Sequence, residues 1–175
     1  MADLHVDWDE YHRLIERLAL AVHTSGWEFD QILCIARGGL RVGDTLSRIL
    51  DRPLAIISTA SYAGEGGTER GALTIASAVT MTTASLGPRL LLVDDLVDSG
   101  VTLEAVKAHL LDRARFPEVR EVRTAVLWYK ACSACRPDYF VEHLADSPWI
   151  HQPFERYDRP GPELLAALAD GKHGV

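Results

Sequence analysis

The chain has 175 residues, 47% of them hydrophobic and 25% charged, with a formal net charge of −7. That length fits one domain, or one core with a small appendage, and the composition excludes disordered, collagen-like and coiled-coil classes. The acidic balance argues against a general nucleic-acid binder, which needs a basic footprint to neutralise phosphates, and favours a small ligand recognised locally. Three cysteines do not make a closed disulfide framework. Residues 1–10 carry Asp3, Asp7, Asp9 and Glu10 with no basic flank or apolar stretch, unlike a signal peptide, and no run approaches the roughly 18 apolar residues of a membrane span. A reducing, cytoplasmic setting is the default expectation.

In chain order, residues 8–24 place Trp8, Tyr11, Ile15, Leu18, Ala19 and Val22 at helical spacing, with Asp7 as N-cap, Glu10 three positions on and Gly26 past the end. The spacing predicts an amphipathic helix. Residues 31–36 read as a short strand, Arg37-Gly38-Gly39 as a tight turn, and residues 40–50, with Leu40, Val42, Leu46, Ile49 and Leu50 apolar, as a helix. Residues 54–58 read as a second strand. Residues 61–71 contain Gly64, Gly66, Gly67 and Gly71 and read as a polar, mobile loop.

A β-pair over residues 72–82 leads to residues 89–93, the nearly continuous apolar run expected of a strand buried on both faces of a parallel sheet. That run ends on Asp94-Asp95. Residues 96–101 read as a turn, residues 102–114 as a helix closed by Phe116-Pro117, and residues 121–129 as a strand followed by Lys130. The alternation predicts an α/β domain with a largely parallel sheet, whose ligands sit at the carboxyl ends of the strands. Beyond Cys132 the chain reads as irregular, apart from a short strand at 139–141 and a terminal helix at 162–170.

Residues 90–102 read Leu-Leu-Leu-Val-Asp-Asp-Leu-Val-Asp-Ser-Gly-Val-Thr. Two adjacent carboxylates directly after four apolar residues are disfavoured by like charge and by desolvation. A partner with hydroxyl donors, or a divalent cation, relieves both. The Asp98-Ser99-Gly100-Val101-Thr102 turn then opens a helix whose free N–H groups suit a phosphate. Carboxylates for a diol, followed by amides and hydroxyls for a phosphate, describe a ribose 5-phosphate pocket, although an acidic turn with Ser99 or Thr102 as a plain helix cap uses the same residue types.

Residues 93–102 resemble the signature by which type I phosphoribosyltransferases bind 5-phosphoribosyl 1-pyrophosphate (PRPP): two acidic residues, then a phosphate loop. Three further segments stand in the order of that family's purine branch and are most like the bacterial xanthine-guanine (hypoxanthine) phosphoribosyltransferases. Ala36-Arg37-Gly38-Gly39-Leu40 resembles the pyrophosphate loop, before which the family often has a cis peptide, here Ala36-Arg37. Ser61-Tyr62 resembles the start of the flexible catalytic loop, and Trp149-Ile150-His151-Gln152-Pro153-Phe154 resembles the base-binding hood. A guanidinium with backbone amides suits a pyrophosphate, an ammonium suits a purine carbonyl, and an indole offers a stacking face.

The resemblance implies a type I phosphoribosyltransferase-like core over residues 1–130, with its parallel sheet flanked by helices, and a small hood over residues 131–175. It implies transfer of the 5-phosphoribosyl group from PRPP to a 6-oxopurine (hypoxanthine, guanine or xanthine) in purine salvage, with a nucleoside 5′-monophosphate and pyrophosphate as products. Mg2+ is the implied cofactor and a homo-oligomer, dimer or tetramer, the implied assembly. PRPP binding would fall to Arg37, Gly38, Gly39, Asp94, Asp95, Asp98, Ser99, Gly100, Val101 and Thr102. Asp95 would contact the metal, with Asp94 beside it on the ribose hydroxyls. Asp98 would act as proton acceptor or donor near purine N7, with Arg37, Ser61 and Tyr62 completing the catalytic set, while Lys130, Trp149, Ile150 and His151 would hold the base.

Two features depart from this pattern. The family usually has an acidic residue where His151 stands, and Cys132-x-x-Cys135 is half a zinc site whose candidate partners, His143 and His151, lack the usual spacing. Cys34 reads as a buried core residue. Two rival readings use the same residues: an enzyme of this fold acting on another base, and a PRPP-sensing regulatory protein that binds RNA, against which the acidic balance speaks.

Overall fold

The computed structural model describes residues 3–61 and 73–158, together with Pro162 and Ala166 in helical conformation. In chain order the elements are β1 (Leu4–His5), α1 (Trp8–Thr24), β2 (Gln31–Ala36), α2 (Gly39–Ile49), β3 (Leu54–Ser61), β4 (Leu73–Ile75), β5 (Thr80–Met81), β6 (Arg89–Val93), β7 (Leu96–Val97), α3 (Val101–Leu110), β8 (Glu121–Lys130), β9 (Tyr139–Leu144), β10 (Ile150–His151) and a 3-10 turn at Glu155–Tyr157. The chain parts into two compact units, residues 14–147 and residues 1–13 with 148–175. The sequence boundary at 130/131 thus falls inside the larger unit, which keeps residues 131–147.

The larger unit is built on one sheet of order β4-β3-β2-β6-β8-β7, with β5 also paired to β3 and β9 to β8. Every pairing is parallel except those of β4 and β5 with β3. This is the predicted α/β class. Leu90, Leu91, Leu92 and Val93 of β6 are completely buried, as are Ile32, Leu33 and Cys34 of β2, so both faces of the sheet's middle are covered. Leu33, Ile35, Leu90, Leu92, Val106, Leu110 and Val126 join one cluster that fixes α3 to the sheet. Cys34 is a core residue: its thiol is pushed up to about 11, chiefly by burial.

The amphipathic helix forms as its spacing predicts. Tyr11, Ile15, Leu18, Ala19 and Val22 are buried, and Asp7 Oδ1 accepts from Glu10 N–H at 2.8 Å, which caps the helix.

Several elements differ from the sequence reading. The segment expected as a β-pair over 72–82 gives two strands that each run antiparallel to β3, with Ala60 opposite Thr74 and Ile56 opposite Thr80. The expected turn at 96–101 begins as a strand, because β8 continues past the end of β6 and offers Leu96 and Val97 a fresh edge. The helix expected to reach residue 114 stops at Leu110. Asp112 explains this: its carboxylate accepts from Ala114 N–H at 3.0 Å and its carbonyl from Phe116 N–H at 2.9 Å, a local turn that competes with helix. β3, β8 and β9 each run one to three residues longer than expected.

The smaller unit contains a two-stranded parallel ladder, Leu4 opposite Ile150 and His5 opposite His151. Its Phe154 ring meets Tyr11 edge-on at 5.8 Å between centroids. The expected terminal helix at 162–170 and the expected loop at 61–71 lie outside the described residues, apart from Pro162, Ala166 and the backbone of Ser61.

Candidate active site

The acid pair sits where the sheet changes partners. β6 ends at Val93, and Asp94 N–H then donates to Ala125 carbonyl at 3.2 Å. The Asp95 carbonyl accepts from Leu127 N–H at 2.9 Å and Trp128 N–H at 3.3 Å before β7 resumes the ladder. Asp94-Asp95 is therefore a kink held on both sides by one continuous strand, β8, at the carboxyl end of β6. Within it, Asp94 Oδ1 accepts from Asp95 N–H at 3.0 Å and Asp95 Oδ1 from Leu96 N–H at 2.8 Å.

The turn from β2 into α2 lies directly on this pair. A Cβ placed on Gly38 would stand 2.5 Å from Asp95 Oδ1 and 3.0 Å from Asp94 Oδ1, and one on Gly39 would stand 2.5 Å from the Val93 carbonyl oxygen. At Gly39 only a residue without a side chain lets the two backbones come this close. The Ala36-Arg37 peptide is cis. Arg37 is exposed at the head of this turn, and its guanidinium pairs with no described carboxylate.

Burial, and then the neighbouring charge of Asp95, hold the Asp94 carboxyl well above the usual carboxylate range; the N–H groups of Asp95 and Gly39 pull the other way without cancelling it. A negative charge at Asp94 is thus disfavoured in the bare site, and a group that brings hydroxyl donors or positive charge to its oxygens lifts that penalty.

Next to the pair is a cleft of about 200 Å3 walled by residues 94–100, Thr102 and Leu103. Gly100, with φ +84°, turns the chain into α3, and the first N–H groups of that helix, at its start on Val101, have no partner within it. Asp98 stands in the same wall. Its carboxylate is 61% exposed, while Lys130, at the carboxyl end of β8, is 9% exposed and places Nζ 3.6 Å from Asp98 Oδ1.

The structure therefore brings together Gly38, Gly39, Asp94, Asp95, Asp98, Ser99, Gly100, Val101, Thr102 and Lys130 in the larger unit. Trp149, Ile150 and His151 belong to the smaller one. There Trp149 is 63% exposed and Ile150 buried. His151 Nε2 lies 3.0 Å from Asp3 Oδ2, and its ring stacks on His5 at 4.4 Å between centroids. Tyr62 and the side chain of Ser61 are outside the described residues.

Residues that sequence reasoning did not place here are Cys132, Ser133 and Cys135, whose loop follows Lys130 and touches the 98–100 turn. Cys132 Sγ is 3.3 Å from Asp98 Oδ1, Ala134 N–H donates to Ser99 carbonyl at 3.1 Å, and Cys135 Sγ is 3.7 Å from the Gly100 carbonyl. The spacing of the two cysteines was the available signal, and it suggests metal rather than contact with an aspartate.

A kinked acid pair lies under a two-glycine turn and opens onto a helix start, so carboxylate oxygens stand in one wall with backbone N–H groups that suit an anion. The chain belongs to the phosphoribosyl transferase domain family, whose pattern it matches over residues 7–159. It is 34% identical over 151 residues to a xanthine-guanine phosphoribosyltransferase of Gluconobacter oxydans, covering 86% of this chain and 83% of the relative. Among solved structures, it resembles a xanthine-guanine-hypoxanthine phosphoribosyltransferase of Helicobacter pylori with a TM-score of 0.73 at 26% identity, covering 95% of this chain and 99% of the other. It also resembles a purine phosphoribosyltransferase of Pyrococcus horikoshii, with a TM-score of 0.70 at 29% identity over 88% and 95% of the two chains.

Proposed function

We propose that this protein transfers the 5-phosphoribosyl group of PRPP to a 6-oxopurine, releasing pyrophosphate and a nucleoside 5′-monophosphate, in cytoplasmic purine salvage. The observation that carries this reading is the close approach of Gly38 and Gly39 to Asp94-Asp95, which supports assigning pyrophosphate to the turn and the ribose diol to the acid pair. The relatives named above, all purine phosphoribosyltransferases, support the acceptor class.

Each residue then has a chemical task. Asp94 accepts hydrogen bonds from the ribose hydroxyls, whose donors lift the cost of its charge. The N–H groups at the start of α3, with Ser99 and Thr102, hold the 5′-phosphate. Arg37 and the backbone of Gly38-Gly39 orient the pyrophosphate. Asp98 takes or gives the proton at purine N7, and Lys130 donates to the oxygen at position 6. Ser61 and Tyr62 begin the segment that excludes water from the reacting carbon, Trp149 and Ile150 support the base, and His151 influences its position 2.

Substitution at the ribose C1 passes through an oxocarbenium-like state, so positioning and electrostatics carry most of the rate. The donor set suits Mg2+. Asp95 and Asp94 offer hard carboxylate oxygens, and burial penalises charge at Asp94. Such an ion takes one or two carboxylates and completes its shell with substrate oxygens and water. Bound there, Mg2+ neutralises charge on the leaving pyrophosphate. The protein is proposed to act as a homo-oligomer, which light scattering checks.

The test is product formation from labelled PRPP with hypoxanthine, xanthine, guanine, adenine and uracil in turn. Hypoxanthine, xanthine or guanine should give nucleotide. Adenine should react poorly, because the Lys130 ammonium donates hydrogen bonds and accepts none from a 6-amino group. Nucleotide from uracil alone, or from no base, overturns the reading.

A further inference from the structure

The loop that follows β8 carries the only side chain other than Lys130 found on the Asp98 carboxylate among the described residues. Cys132 Sγ lies 3.3 Å from Asp98 Oδ1 and 3.6 Å from the Asp98 carbonyl. The loop itself is tied down. Ala131 N–H donates to the Leu144 carbonyl at 3.0 Å, Ser133 N–H to the Lys130 carbonyl at 3.0 Å, and Cys132 N–H to Ser147 Oγ at 3.4 Å. Further along, Ser133 Oγ donates to the Cys135 carbonyl at 2.8 Å and accepts from Cys135 N–H at 3.2 Å. A Cβ on Gly100 would stand 2.5 Å from Cys135 Sγ and 2.7 Å from Ser133 Oγ, so the loop and the 98–100 turn are in full contact.

We infer that Cys132 is a positioning residue for Asp98, an inference that rests on the reading of function given above. Asp98 is 61% exposed. A short carboxylate with that much solvent around it samples several rotamers unless something holds it. Two donors converge on Oδ1, the Cys132 thiol at 3.3 Å and the Lys130 ammonium at 3.6 Å. With Oδ1 engaged, Oδ2 is presented to the acceptor base for proton transfer. Lys130 is also assigned to the oxygen of the base, and when it turns to that oxygen the thiol remains as the donor on Asp98. A thiol is a weak donor, but orientation matters steeply, since a misplacement of about 1 Å costs on the order of 100-fold in rate.

Cys132→Ala and Cys132→Ser separate this role from a purely structural one. Cys132→Ala should lower kcat about tenfold with the KM for PRPP and the melting temperature little changed. Cys132→Ser, whose hydroxyl donates to the same oxygen, should recover most of the loss. Equal kcat in the two variants, whether both like wild type or both reduced, overturns the inference while leaving the assigned reaction standing. If wild type forms no nucleotide from any base, the reading of function fails instead. The positioning is then judged from crystal structures of wild type and Cys132→Ala: an Asp98 carboxylate that leaves its rotamer in the variant supports it, and one that stays overturns it.

Discussion

A single methyl group probes the acid pair in two ways. At Gly38 it would strike the carboxylates of Asp95 and Asp94, which can swing aside. Gly38→Ala should therefore fold with a modest loss of stability but displace the groups that receive PRPP, raising its KM about tenfold or more. At Gly39 it would strike the Val93 carbonyl and Asp94 Cα, which are backbone inside the sheet. Gly39→Ala should cost about 1–3 kcal/mol, the range of overpacking in a tight interior. Urea titration and steady-state kinetics on both variants check the contrast, and similar behaviour in the two contradicts it.

Asp94 also gives the protein a pH signature. Its carboxyl is raised by burial and by Asp95. A group with a raised folded pKa contributes stability that is present below its unfolded pKa and lost as pH rises through the folded value. The melting temperature of the free protein should therefore fall as pH climbs from the ordinary carboxylate range through the raised value, and Asp94→Asn should flatten that fall. Asp94→Asn and Asp95→Asn should each weaken PRPP binding by about tenfold or more, the scale of a hydrogen bond to a charged group. Melts across pH and calorimetric titration with PRPP test both statements; unchanged affinity in both variants removes the diol assignment.

At the scale of elements, what the sequence reveals depends on the length of the signal. The 17-residue α1 repeats its apolar spacing often enough to be read, down to the cap. Asp7→Ala should cost about 1 kcal/mol in thermal or urea unfolding, and no loss would mean that the bond to Glu10 N–H is idle. The buried run Leu90–Val93 of β6 is legible because a two-faced sheet readily takes such a run, and Asp94-Asp95 is legible because two acids rarely follow one.

Strands β1, β7 and β10 have two residues each, too few for any alternation to register. β7 exists because β8 already offers an edge, and β1 and β10 exist because each pairs with the other from the opposite end of the chain, and both are tertiary information. The same holds for Cys132. Its contact spans 34 positions of sequence and arises because β7 pairs with the far end of β8, which puts the residues after each strand side by side. The turn at Asp112 has a sequence signal, an aspartate near a helix end, but one outweighed by the apolar spacing that continues beyond it.

For the molecule as a whole, the pairing of β3 with β4 has a consequence for how the chain tolerates change. Ser61 and Leu73 face each other across the ladder, so the two ends of the connection between them meet at one rung. The entropy of closing a connection whose ends are already joined grows only with the logarithm of its length, by about 0.6 kcal/mol per doubling. Inserting about ten glycine and serine residues between Gly66 and Gly67 should lower the melting temperature by no more than about 2 °C, while kcat/KM falls at least tenfold if this segment shields the reacting carbon. A large drop in melting temperature would show that the segment supports the fold. A melting temperature that holds would mean that the register of β3 with β4, and the sheet that carries the acid pair, set themselves independently of how much chain joins Ser61 to Leu73.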